Sequence, residues 1–209
     1  MQDRVSVKLR AKELFRAQYW VCVGANVLVA IIVSAASSAT FGMAAFFVSP
    51  PVTVGLCFFS LSVYRGFNGD IGSVFTNGFT NYLRKLGGML WMELFVFLWS
   101  LLLIIPGIIK SLSYAMTPYI LADCPNVCAT DALKISMRMM AGHKGELFVY
   151  YLSFIGWGIL SGLTCGVLYI FYVGPYINNT FAGYYDELKR VSIESGVISL
   201  SELDPDARI

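Results

Sequence analysis

The chain has 209 residues, 57% of them hydrophobic and 13% charged, with a net charge of +2 and a mean hydropathy of +0.67. Soluble domains are about one quarter charged, so this chain lacks the polar surface to fold in water and is expected in a bilayer. The net charge is too small to serve nucleic-acid binding, and apolar runs spread from residue 18 to residue 185 exclude a soluble domain on one anchor.

The N-terminal stretch MQDRVSVKLRAKELFRAQYW carries charges over its first 17 or so positions. A cleavable signal would have a short basic start, a brief apolar core and a small-residue cleavage site. Here the apolar run continues past Ile32, so a retained helix is expected. Residues 1–17 read as a basic amphipathic segment. Val5, Leu9, Lys12 and Arg16 fall at helical spacing, with Leu14 and Phe15 on the next turn, a pattern suited to an anionic leaflet.

Residues 18–190 are expected to form an all-α, polytopic membrane bundle with interfacial amphipathic helices. About 20 apolar residues cross the hydrocarbon core, and six stretches qualify: 18–37, 41–64, 86–105, 108–122, 146–163 and 166–185. The fourth is short, and its full crossing is left open. SAASSAT, Pro106-Gly107 and Gly162–Gly166 supply the outer turns of three hairpins. Of the 15 Lys and Arg, five precede the first span. Three lie in loop 65–85, three in loop 123–145 and three after the sixth span, which leaves only Lys110. Cytoplasmic loops gather Lys and Arg, so both termini are expected in the cytoplasm.

In the second inner loop, CATDALKISMRMMAGHK, Ala132, Leu133, Ser136, Met139 and Met140 form one helical stripe. Asp131, Lys134 and Arg138 fall opposite, Asp131 within reach of Lys134 and in the dipole-favoured first turn. Gly142 is a good stop, since glycine alone takes the left-handed conformation without strain. Two readings stay open: a helix in the headgroup zone with Lys134, Arg138, His143 and Lys144 toward lipid phosphates or a partner, or a linker helix packed on its own bundle. Tyr176, Tyr184 and Tyr185 suit the membrane interface. Residues 191–209 read as an acidic, loose tail.

Polar residues within the spans are candidate functional groups. Glu93, about two turns into the third span, either reaches the inner interface or pairs with a polar group in the bundle. Lys110 either snorkels outward or is buried against an acid. Pro118 either ends a short helix or bends one that lines a polar cleft, freeing the Tyr114 carbonyl. Pro50-Pro51 and Pro175 mark the other even-numbered spans, and Pro-Tyr-Ile occurs at both 118–120 and 175–177. A polar cleft would draw on Glu93, Lys110, Ser111, Tyr114, Pro118 and Pro175, with Asn26 and Ser113 as further candidates. The five cysteines are scattered, and Cys124 with Cys128 and a single histidine, His143, make a poor metal set. No metal or cofactor is expected.

The stretches FLWSLLLIIPGIIKSLSYAMTPYILAD, DALKISMRMMAGHKGELFVYYLSFIGW and YVGPYINNTFAGYYDEL, in this order, resemble the bacterial membrane family called domain of unknown function 975 over about residues 50–188. The Pro-Gly turn and the following AL-x-x-S helix are more distantly similar to the membrane domain of some glycerophosphodiester phosphodiesterases. The resemblance carries over to Trp99, Pro106, Gly107, Lys110, Tyr114, Pro118, Tyr119, Ala132, Ser136, Met140, Gly142, Pro175 and Tyr176. It implies a multi-span plasma-membrane protein and no known activity. The family usually has a capping residue where Cys128 stands, so helix 129–141 is expected to start less firmly or to be capped by Asn126.

There is no P-loop, no Gly-x-Ser-x-Gly and no His-Glu-x-x-His, so an enzyme is not expected. The leading reading is a non-catalytic scaffold or accessory protein that binds lipid, anionic headgroups or a membrane partner. Homo-oligomerisation is possible through Gly156, Gly158, Ser161 and Gly162. The alternative is an oligomeric transporter or channel for a small molecule or lipid.

Overall fold

The computed structural model describes residues 4–39, 43–164 and 166–204, and every regular element in them is helical. In chain order these are α1 (Arg4–Ala17), α2 (Tyr19–Ala39), α3 (Met43–Tyr64), α4 (Ile71–Phe79), α5 (Tyr82–Leu102), α6 (Ile104–Tyr114), α7 (Thr117–Asp123), α8 (Ala129–Met139), α9 (Lys144–Leu163), α10 (Gly174–Glu194) and α11 (Leu200–Leu203). A π-helix, Tyr169–Val173, leads into α10. SAASSAT is helical through Ala39 as the end of α2 rather than a turn, and its Thr40, with Cys165 and Arg208, lies outside the described residues.

Among the described residues, four helices are long and apolar enough to cross a membrane: Tyr19–Ser38, Phe46–Tyr64, Tyr82–Leu102 and Lys144–Leu163. They correspond to the first, second, third and fifth expected spans. The fourth stretch is divided into α6 and α7, of 11 and 7 residues. At 1.5 Å per residue neither alone crosses a core of about 30 Å. Pro118 stands in the first turn of α7, where its missing N–H is no loss. It starts a helix after a break at Ala115–Met116 rather than bending a continuous one.

The sixth stretch is irregular for a related reason. Pro175 has no N–H to offer the turn before it, and the backbone just upstream winds wider. The Gly174 N–H reaches back five residues to the Tyr169 carbonyl. Pro175 itself is buried at the start of α10. Beyond it, Phe181, Ala182, Tyr184, Tyr185 and Leu188 are all buried, so α10 is the central post of the core.

Several expectations are corrected. The buried stripe of α1 is Val7, Ala11 and Phe15, every fourth residue, while Val5 and Leu9 stay more than half exposed. The small Ala11 lets α1 lie against α10 and α3. Loop 65–85 holds a helix that packs on the bundle rather than lying free at the interface. Asp70 caps α4 through the Gly72 N–H at 3.0 Å, and α4 then folds back along α3. Two glycines permit this crossing: a Cβ on Gly55 would stand 1.9 Å from the Val74 carbonyl oxygen, and one on Gly78 2.8 Å from that of Pro51. Pro106 and Gly107 do not form the turn of the α5–α6 hairpin. The chain reverses at the extended Leu103. Both residues belong to the first turn of α6, where Gly107 lies so close to Ser100 that a Cβ would meet its Oγ at 2.3 Å.

Helix α8 buries the predicted stripe, Ala132, Leu133, Ser136, Met139 and Met140, together with Ile135. It packs on α5, α6 and α7, so the reading of a helix seated on its own bundle describes it. Cys128 occupies the N-cap with no side-chain bond, and Asn126 does not replace it but donates to Asp204 at 3.1 Å. Gly142 ends the turn that follows with φ +85°. The tail is not loose through residue 204. Ile198 and Leu203 are buried, α11 starts with a capping box of Ser199 and Glu202, and Glu202 meets Arg138 at 3.0 Å.

Candidate functional site

Helices α3, α5, α6, α7 and α9 leave between them a groove of about 840 Å³. One face of α5 forms its floor: Met89, Glu93, Val96, Phe97 and Ser100 recur at helical spacing. Ile108, Ser111 and Leu112 of α6, Ala115 at the break after it, Pro118 of α7, and Phe148 and Tyr151 of α9 complete the walls, with Thr53 of α3. Phe97, Ile108, Phe148 and Tyr151 are exposed, so the groove opens sideways. The Ser100 and Ser111 hydroxyls each donate to their own helix, to Val96 and Ile108 carbonyls at 2.8 Å, and are left as acceptors.

Glu93 lies eleven residues beyond Tyr82 and nine before Leu102, the middle of α5 rather than near its inner end. Among the described residues it has no ion pair. Lys110 does not approach it. Its ammonium lies 5.2 Å from the Trp99 ring and 6.0 Å from that of Tyr114, a cation–π seat near the α5–α6 turn. Of the six cleft candidates, the groove brings together Glu93, Ser111 and Pro118. Tyr114 is buried beneath Lys110, and Pro175 is buried in α10; neither lines the groove. Asn26 and Ser113 serve packing: Asn26 accepts from Asn178 at 2.9 Å, and the buried Ser113 hydroxyl donates to Ile109.

Behind the groove, the break between α6 and α7 is latched by α8. The Ser136 hydroxyl, fully buried, donates to the Ser113 carbonyl at 2.9 Å. Ser113, rather than Tyr114, is thus the carbonyl of the broken turn with a side-chain partner.

At one end of the bundle lies a charged knot that spacing gave no sign of. The Asp123 carboxylate, at the end of α7, accepts from Arg65 at 2.6 Å, Lys189 at 2.5 Å and Tyr185 at 3.2 Å. Arg65 also meets Asp186 at 2.8 Å. Burial alone would raise the Asp123 carboxyl, but the Arg65 and Lys189 cations outweigh it and hold its pKa below the ordinary value. Arg84 donates to the Leu121, Cys124 and Pro125 carbonyls, so it closes the end of α7. Outside this knot, Lys134 pairs with Asp131 at 2.9 Å and Arg138 with Glu202. The His143 ring nitrogen lies 3.5 Å from Glu146, and Lys144 opens α9.

Residues 89–192 match the model of a family described as a protein of unknown function, DUF975. Through this stretch the chain belongs to that family. The DUF975 segment begins later than the resemblance implied, and it contains every lining residue of the groove except Thr53. It also holds both partners of the Ser136–Ser113 latch and, apart from Arg65, every side chain that binds Asp123. No curated protein and no solved structure matches the chain. These comparisons do not show the expected likeness to the glycerophosphodiester phosphodiesterase membrane domain.

Proposed function

We propose that this DUF975 chain is a multi-pass protein of the bacterial plasma membrane, with both termini cytoplasmic, that works by holding a lipid-like molecule rather than by catalysis. The groove carries the proposal. It sits on two helices apolar enough to cross a membrane, α5 and α9, and opens toward what would be hydrocarbon. Pockets lined mostly by apolar side chains with a few placed polar groups favour amphipathic ligands. The outer side of α8, with Lys134 and Arg138, offers a charged inner surface to headgroups or a partner. An accessory protein that presents or retains a lipid fits both features.

The test is lipid retained by the purified chain after mild extraction, measured by mass spectrometry. Ser111→Trp, on the exposed rim of the groove, is expected to remove a stoichiometric lipid while the bundle stays monodisperse. Equal retention by that variant would assign the lipid to the annulus and end the proposal.

Transport is the second reading, and the helix break before Pro118, in the groove wall with Glu93, favours it, as does the irregular turn before Pro175 in α10. Substrate-dependent flux in proteoliposomes separates it from simple retention.

A further inference from the structure

The groove's charge names the class of its ligand, granted the lipid-binding reading above. Among the described residues, Glu93 is the one charged side chain in the lining. The cations of α5 and α6, and Lys8 of α1 beside α9, are engaged elsewhere. Lys85 donates to the Asn77 carbonyl, and Arg84 to the end of α7. Lys110 is seated on Trp99 and Tyr114, and Lys8 donates to Ser153 at 2.5 Å and lies over the Tyr150 and Phe154 rings. A carboxylate at mid-helix in an apolar span is costly without a counter-charge. The serine hydroxyls offer it none, since both donate to backbone.

One turn on from Glu93, Phe97 lies on the same face of α5, and Phe148 and Tyr151 line the opposite wall. Aromatic faces attract cations, and alkylated ammonium groups most readily when water is excluded. A carboxylate in an apolar trough that aromatic rings also line complements a positive head on an alkyl tail. An anionic head would meet Glu93 with no cation in the lining, and an uncharged head would leave the carboxylate unpaired.

We propose that the groove binds a cationic amphiphile, with its amine or quaternary ammonium at Glu93 among Phe97, Phe148 and Tyr151 and its alkyl chain along α5 and α6. Three photoactivatable probes with one diazirine-bearing dodecyl tail test this on the full chain in maltoside micelles: a trimethylammonium, a sulfate and a maltoside. Cross-links are mapped by peptide mass spectrometry. The ammonium probe is expected to label the Met92–Phe97 and Phe148–Tyr151 peptides saturably, with at least about tenfold higher affinity than the sulfate. Glu93→Gln is expected to erase that preference and Glu93→Asp to keep it, each judged on protein that elutes as a single species. If all three probes label the groove alike, or Glu93→Gln keeps the preference, the cation inference is overturned while the lipid-binding reading stands. If no probe labels it saturably, both fail.

Discussion

Asp123 ties three helices with one carboxylate. Its partners Arg65 and Lys189 lie 58 and 66 residues away in sequence. Nothing local announces the knot, because an acid at the end of an apolar run reads as ordinary solvation. Only the fold brings the three ends together. A buried acceptor that serves several cations is expensive to remove, since its partners stay behind uncompensated. Asp123→Asn is expected to destabilise the bundle by about 3 kcal/mol, at the low end for a buried pair because Arg65 keeps Asp186. The pH dependence has a definite sign. The folded pKa is depressed, so the stabilisation is fully present above the unfolded value of about 4 and is lost as pH falls through the lower folded value. Thermal unfolding in detergent at pH 7 and pH 3 reads this out. The gap between wild type and Asp123→Asn should be smaller at pH 3 than at pH 7. An equal gap at both pH values would show that the carboxylate's charge is not what holds the helices.

At the level of elements, glycines divide into those that admit a neighbour and those that meet nothing. Gly55 faces backbone of α4, which cannot yield as a flexible side-chain tip would. Gly55→Ala is expected to cost about 3 kcal/mol or to prevent α4 from docking, as overpacking does. Gly156, on the open side of α9, has no atom within 4 Å of an added Cβ. Gly156→Ala should be neutral or stabilise by up to about 1 kcal/mol through helix propensity. Melting temperatures of the two variants in one detergent make the comparison, and a neutral Gly55→Ala would refute the crossing. The same division shows what the sequence makes legible. The α8 stripe was readable because its apolar residues keep helical period over a full segment. The fold-back of α4 was not, because Gly55 and Gly78 resemble flexible points until the facing backbone is known. Pro106-Gly107 looks like a turn on composition, yet proline also suits a first helical turn and glycine a close crossing. The docked tail is not legible because its buried anchors, Ile198 and Leu203, do not stand out from the exposed Val197 and Leu200 beside them in a serine-rich and acidic stretch.

Across the whole molecule, several of the charges expected on one side of the membrane join neighbouring elements of the bundle. Arg65, Lys189, Arg138 and Arg84 all bind acids or carbonyls of neighbouring elements. Single cysteines at Ala17, Phe67, Lys134 and Ser195, in a background without native cysteines, are expected to react with an impermeant thiol reagent only after the membrane is opened. One at Leu103 should react in intact cells. Outside reactivity at any of the first four would break the three-hairpin topology. The half of the bundle around the groove was legible only in parts: Glu93, Ser111 and Pro118 were picked out for polarity or shape, whereas the aromatic wall of α9 blends into an ordinary lipid-facing surface. The sideways mouth of that groove has a thermodynamic consequence of its own. A molecule that enters through it first dissolves in the bilayer, so occupancy tracks its mole fraction among lipids and not its concentration in water. Diluting a fixed amount of amphiphile with more lipid should therefore empty the groove, even while the aqueous volume is held constant.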